Sequence, residues 1–548
     1  MEPAMVGPGP AAMLAAFALL VPLARTALAQ LRPEQVLVVY DSRVADSLEV
    51  AAYYAGSAAV PGHTGAFPGT RPGVRTVDLA ALGTVTAPAP TITYAHFVAN
   101  LRTPLRAHLT AIDPQNRLRC LVLTKGLPHR IDDTDVPGAG ENFSGTTPVV
   151  QVEVIGGDAT FASVDSELTL LFQNLNNNEN GGTGDSQADG FIINPYYTQA
   201  NSISAYSTPR RRLTRNFFPT MTEINSGFAW RPIVSGTNGF LPGDLLLVNR
   251  LDGPSVGAVK AMCDRALTGW VDVERSAIIL DESRSNGTPD TSPNVNAELD
   301  NQDFLAPPQT PQLWKGDDYE LARNFLAWDG RWNPAMVRYD AAGYPSNYLV
   351  GPRLPLGLGV VVSDPVALLA SEGANSDGTP NGDPRRRLPE SFNWAPMGVY
   401  NTIESFNLRD LGGLGSLFNQ SQGADAIGAG ATFAIGYVWE PFAQTIADND
   451  QICRRFFAEN QTWAEAAWAS IPVLSWQHVV LGDPLARVVR SRDDLDGDGR
   501  VNIEDLYRYE GAPFDLNRSG SASTADAKLL ERSVRPGAGV VDMVGNQR

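Results

Sequence analysis

The residues whose types and spacing most clearly demand chemistry lie near the C-terminus. In DLDGDGRVNIED, residues 494–505, Asp494, Asp496, Asp498, Asn502 and Asp505 stand at positions one, three, five, nine and twelve, with Gly499 at six. Oxygen side chains at alternating positions, the Arg500 carbonyl at seven and a glycine at the sharp turn are what a hard divalent cation requires. DLNRSGSASTAD, residues 515–526, repeats the register with Asp515, Asn517, Ser519, the Ser521 carbonyl, Ser523 and Asp526, and again a glycine, Gly520, at six. One such stretch could be a solvated acidic turn; two in register point to a duplicated module holding two calcium ions. Four carboxylates stand among the ligands of the first loop and two among those of the second, so the second is expected to bind calcium more weakly.

Each loop leads into a helical pattern, IEDLYRYE after the first and TADAKLLERSV after the second. Asp rather than Glu fills position twelve in both, and VVRSRD before Asp494 reads as the end of a strand rather than a helix. Together these features resemble a type I dockerin over residues 494–535. The resemblance implies a small all-α module of paired loop-helix halves that folds only with its ions, and a cohesin-type protein partner. Dockerins often carry matched recognition residues at loop positions ten and eleven. Here those positions hold Ile503 and Glu504, then Thr524 and Ala525, so a symmetric two-way contact is not expected.

Other constellations are weaker. Cys120, Cys263 and Cys453 sit in a strand-like run, a helical pattern and beside RRFF, and each reads as a buried structural thiol. His63, His96, His108, His129 and His478 read as structural histidines, and the chain has no Gly-rich phosphate loop, no HExxH and no Cys-His zinc spacing. Ser405, Glu404 and Asp364 near strand ends could form a site, but spacing alone does not separate them from turn residues. The sequence assigns no residue a catalytic role.

The elements that would carry such residues come from apolar patterning. QVLVVYDS, RCLVLT, GDLLLVNRL and RSAIILD are short continuous apolar runs, and VADSLEVAAYYAGS and PSVGAVKAMCDRALTG have helical spacing. Buried strands alternating with helices predict an α/β domain over residues 30–490 around a mainly parallel sheet. RLDGP and GDP read as strand-ending turns in which Asp accepts backbone hydrogen bonds. The polar stretches 174–190, 283–302 and 371–387 read as surface loop insertions. The dockerin domain then occupies 491–535 and a C-terminal tail 536–548.

SLEVAAYYAGSAAVP, VLTKGLP, ASVDSEL, LVNRLDGP, GYVWEPF and TWAEAAWASIPVLSWQHVVLGDPL together resemble an exosortase-associated bacterial family to which no activity is attached. More distantly, the domain resembles the gingipain-type cysteine peptidases, which implies a caspase-like fold. It would also place a His and a Cys at the C-terminal ends of adjacent central strands. His129 follows the strand-like CLVLT, but GVYNTIESFN, where the nucleophile would be sought, contains no cysteine.

The first thirty residues hold an apolar run from Ala11 to Leu23 and the small-x-small Ala27-Leu28-Ala29, predicting a signal peptide over 1–29 and a secreted or cell-envelope location. No other run approaches a membrane span, and a net charge of -18 opposes nucleic-acid binding. Arg210–Arg212 and Arg385–Arg387 read as solvated loop charge. The function expected is therefore a secreted calcium-binding protein attached to a cohesin-type partner, with an α/β domain of unassigned role. The alternative is a docked gingipain-type peptidase or other hydrolase.

Overall fold

The computed structural model describes residues 31–87, 90–131, 143–144, 147–148, 162–172, 192–194, 196–197, 245–281, 318–340, 348–357, 359–371, 387–412, 422–439, 441 and 445–534. The expected signal peptide, the C-terminal tail, Arg210–Arg212, the stretches 174–190 and 283–302 and most of 371–387 lie outside the described residues.

Ten strands form the main sheet: β1 (Val36–Tyr40), β2 (Arg75–Asp78), β3 (Cys120–Thr124), β4 (Leu247–Leu251), β5 (Ala277–Asp281), β6 (Val337–Asp340), β7 (Val366–Ser371), β8 (Trp394–Thr402), β9 (Phe433–Tyr437) and β10 (His478–Leu481). Their spatial order is β6-β5-β7-β8-β9-β10-β4-β3-β1-β2. The five strands from β2 to β10 are parallel, as are the five from β9 to β6. The two blocks meet in one antiparallel pair, β9 with β10, in the register Ala434↔Leu481 to Tyr437↔His478. Runs such as VLVVY, CLVLT and FAIGY are buried along their whole length, as strands covered on both faces must be.

The flanking helices include α1 (Ala45–Ala55), α2 (Thr103–Ile112), α3 (Val164–Thr169), α4 (Val256–Thr268), α5 (Asp318–Asp329), α6 (Gln422–Ala429) and α7 (Trp463–Ser470). α1 packs on β1 and against α4, and α3 packs on β4 and β10. The expected strand-helix units, β1 with α1 and β4 with α4, fold as their apolar spacing predicts. The protein is thus a mixed α/β structure with a large, mainly parallel sheet flanked by helices. No described helix is long and apolar enough to cross a membrane.

The motifs behind the family resemblance converge in the core of this body. Arg250 of LVNRLDGP is fully buried and makes a bidentate pair with Asp165 of ASVDSEL, its closest approach being 2.7 Å. It also donates to the carbonyls of Leu127 and Pro128 from VLTKGLP. Lys125 reaches Asp252 and the Gly253 carbonyl. Asp252 and Asp483 both end strands as expected, accepting from the amides of Gly253 and Leu485. These contacts hold loops onto the sheet, and removing one member of the Arg250–Asp165 pair would strand a buried charge.

The body's last element is Val489–Arg490, a short strand pairing with Trp270–Val271. Two further helices follow, α8 (Ile503–Gly511) and α9 (Thr524–Ser533), packed around Tyr509, Leu516, Leu529 and Leu530. That core is far smaller than a domain of forty residues needs in order to fold alone.

Candidate metal centre

The two C-terminal loops share a hydrogen-bond plan. Asp494 accepts from the amides of Asp498 and Gly499, four and five residues on, and Asp515 accepts from Ser519 and Gly520 at the same offsets. At position twelve, Asp505 accepts from the amides of Asp496 and Asn502, and Asp526 from the equivalent amides of Asn517 and Ser523; Asp505 also accepts from Leu495. The position-nine residues, Asn502 and Ser523, are also the N-caps of α8 and α9, so each loop closes directly into its helix.

Carboxylate oxygens of Asp494, Asp496 and Asp505 lie within 4.8 Å of one another. Oxygens sharing one calcium at 2.3–2.6 Å can be at most about 5 Å apart, so these three fit a common ion. Asp498 turns its Oδ1 to the Arg500 amide, and Asn502 caps Glu504. In the second loop, Asn517 Oδ1 accepts from the Ser519 amide, Ser519 Oγ lies 3.4 Å from both Asp515 Oδ1 and the Ser521 carbonyl, and Ser523 Oγ donates to Asp526. Every donor in both sets is oxygen, as a hard cation requires.

Electrostatics separate the twins. Burial pushes the Asp494 carboxyl above the usual range, and the neighbouring Asp498 and Asp496 add to it. Burial, with Asp496, does the same to Asp505. Like charges there oppose one another, and a divalent cation would relieve them. Burial also acts on Asp526, but hydrogen bonds from the Asn517 amide and the Ser523 hydroxyl outweigh it and hold this carboxyl low.

All three cysteines are buried, and burial pushes the thiols of Cys120 and Cys263 up, away from a reactive thiolate. His129 is buried, with Nε2 2.9 Å from the Arg409 carbonyl, and burial with nearby Arg130 and Arg250 pushes it well below the ordinary histidine value. The expectation that His129 and GVYNTIESFN follow adjacent strands is corrected by the topology. β3 and β8 are separated by β4, β10 and β9, and they run in opposite directions.

His478 contacts the Thr445 carbonyl, with burial lowering it to about 4, and His63 bridges Ser57 and Glu49. Glu404 lies in a buried network with Tyr400, Thr402 and Gln422 at the C-terminal end of β8. Asp364 pairs with Arg338 just before β7. Because β7 and β8 are parallel, Asp364 lies at the opposite end of the sheet from Glu404 and Ser405, and the three form no site.

The contacts missed from sequence join the module to the body. Arg331, fully buried after α5, bonds Asp329, Asp493, the Leu529 carbonyl and Ser533 Oγ. Burial alone would lower its pKa, but the Asp329 and Asp493 carboxylates outweigh that and hold the guanidinium above its ordinary value. Arg490 donates to Asp493 and to Ser533 Oγ. One signal was legible: Arg518 occupies loop position four, where the first loop has Gly497.

No protein-family model matches the chain, and no curated protein does. Among solved structures, the complex of Porphyromonas gingivalis RgpB pro- and mature domains superposes with a TM-score of 0.37 at 10% identity, covering 83% of this chain and 79% of that one. A structure described as that of a protease gives 0.35 at 11% identity, covering 85% and 80%. Correspondence this loose assigns neither a fold family nor an activity.

Proposed function

We propose that the C-terminal module binds two calcium ions and, as a dockerin, attaches the protein to a cohesin-type partner outside the cytoplasm. The α/β body is the attached cargo and works without a thiol nucleophile. The observation that carries this reading is the matched hydrogen-bond plan of the two loops. Position-one and position-twelve aspartates accept from equivalent amides in both, and in the first loop three carboxylates converge within the reach of one ion. The six donors at each loop would supply a closed oxygen cage, and the ion would replace the apolar core that the module lacks. The caspase-like reading of the body rests on the motifs alone, and the burial of all three cysteines favours a non-catalytic role.

Titration calorimetry on the full chain tests the calcium reading, with two unequal sites expected, the tighter one lost in Asp494→Ala. Two equal sites, or none, would refute it. For the partner, binding to purified cohesin domains should require calcium, and retention in chelator would refute a dockerin contact. A chloroacetamide thiol probe should leave the native chain unlabelled; labelling at Cys120 before unfolding would overturn the inert-thiol reading.

A further inference from the structure

The body presses on the second loop at the residues that would ligate its ion. Gly330, at the end of α5 with φ +71°, lies so close to Asn517 that a Cβ there would stand 1.8 Å from the Asn517 carbonyl oxygen. Asn517 is the position-three donor. Arg492 donates to the carbonyls of Asp515 and Leu516, loop positions one and two, at 2.6 and 3.1 Å. Arg492 also reaches Glu274 of the body. The first loop's hydrogen bond to the body is at the junction itself, where the Asp494 amide donates to the Arg490 carbonyl at 3.2 Å.

Position four shows the difference in the backbone itself. Both loops are left-handed there, with φ 75° at Gly497 and φ 58° at Arg518. Glycine adopts that conformation without strain and arginine does not. Arg518 is held in it by two contacts outside the module: Nη1 donates to the Gly330 carbonyl at 3.0 Å, and Nη2 pairs with Glu274. A strained residue held by a remote partner is where a fold couples two events. Here the strained residue lies between two ion donors, Asn517 and Ser519.

We infer that calcium binding by the second loop and closure of the module onto the body are one coupled event, transmitted through Asn517 and Arg518 to Gly330 and Glu274. The inference rests on the calcium reading of that loop. An ion drawing Asn517 and Ser519 inward sets the path of Arg518 toward Glu274. Conversely, the seam holds the carboxylate-poor loop in its ligating shape and offsets its weakness. Coupling of this kind is reciprocal, so weakening either side must weaken the other by the same factor.

Arg518→Gly in the full chain is the decisive variant, because it keeps the left-handed backbone while removing the tether. Coupling predicts a roughly tenfold loss of calcium affinity at the second site, within the usual range for linked sites, and an unchanged first site as internal control of folding. Hydrogen exchange at residues 329–333 and 529–533 should accelerate in chelator, and in Asp515→Ala even with calcium present. If Arg518→Gly binds calcium at the second loop as well as or better than the native chain, as relief of strain alone would give, the coupling is overturned while the calcium reading stands. Seam exchange indifferent to calcium and to Asp515→Ala would overturn it equally. A native second loop that takes up no calcium refutes both.

Discussion

The two loops are a controlled comparison within one molecule. They share twelve-residue register, N-caps and hydrogen-bond offsets, yet one is rich in carboxylates and bonds the body through the Asp494 amide beside the junction, while the other has two carboxylates and is clamped by the body at Asn517 and Arg518. On the proposed calcium reading, the difference teaches that affinity for an ion would come from two sources. Charge would supply it in the first loop, at the cost of repulsion among Asp494, Asp496 and Asp498 in a partly buried setting. Preorganisation would supply it in the second, where Arg492 bonds the Asp515 carbonyl and Arg518 ties the loop to the Gly330 carbonyl.

The comparison breaks most severely at the shared seam. Arg331→Met leaves Asp329 buried with its main partner removed and Asp493 with Arg490 in place of two arginines, a class of change that costs about 3–5 kcal/mol. Urea unfolding should show the module separating from the body before the sheet melts, with the second site affected and the first spared. Next is Asp494→Ala, which removes the acceptor for three first-loop amides, those of Gly497, Asp498 and Gly499. First-site affinity should fall about a hundredfold by calorimetry, within the range of about 1.5–3 kcal/mol for hydrogen bonds to a charged group.

Gly330→Ala is expected to cost about 1–3 kcal/mol through overpacking against Asn517 and to lower second-site affinity without touching the first. The smallest effect sharpens the contrast from the other side. Gly497→Arg places in the first loop the residue that the second one carries, without a Glu274 to hold it. The left-handed backbone should cost about 1–2 kcal/mol, read as a roughly tenfold weaker first site. If Gly497→Arg proves harmless, position-four strain is not what distinguishes the twins.

Much of the local structure was legible. β1, β3, β4 and β5 were readable because apolar runs bounded by Gly, Pro and Asp bury both faces. The matched hydrogen-bond register of the two loops was readable because it follows chain spacing. The body's organisation was less so. Placing His129 and the end of β8 on neighbouring strands failed because nothing in a strand's own residues reports the antiparallel junction of β9 and β10, which turns the second half-sheet over. Arg518 was visible as a departure from glycine, but its partners Glu274 and Gly330 lie almost two hundred residues away or more, and no periodicity links them.

By itself, then, the sequence determined which oxygens could surround an ion and that the two sets are twins, because a loop's donors are neighbours along the chain. It also determined the strand-helix units of the body, through burial of continuous apolar runs. Only the tertiary structure decided that the twins are unequal in their surroundings. A glycine in one domain and a strained arginine in another acquire meaning only when folding brings them within van der Waals reach.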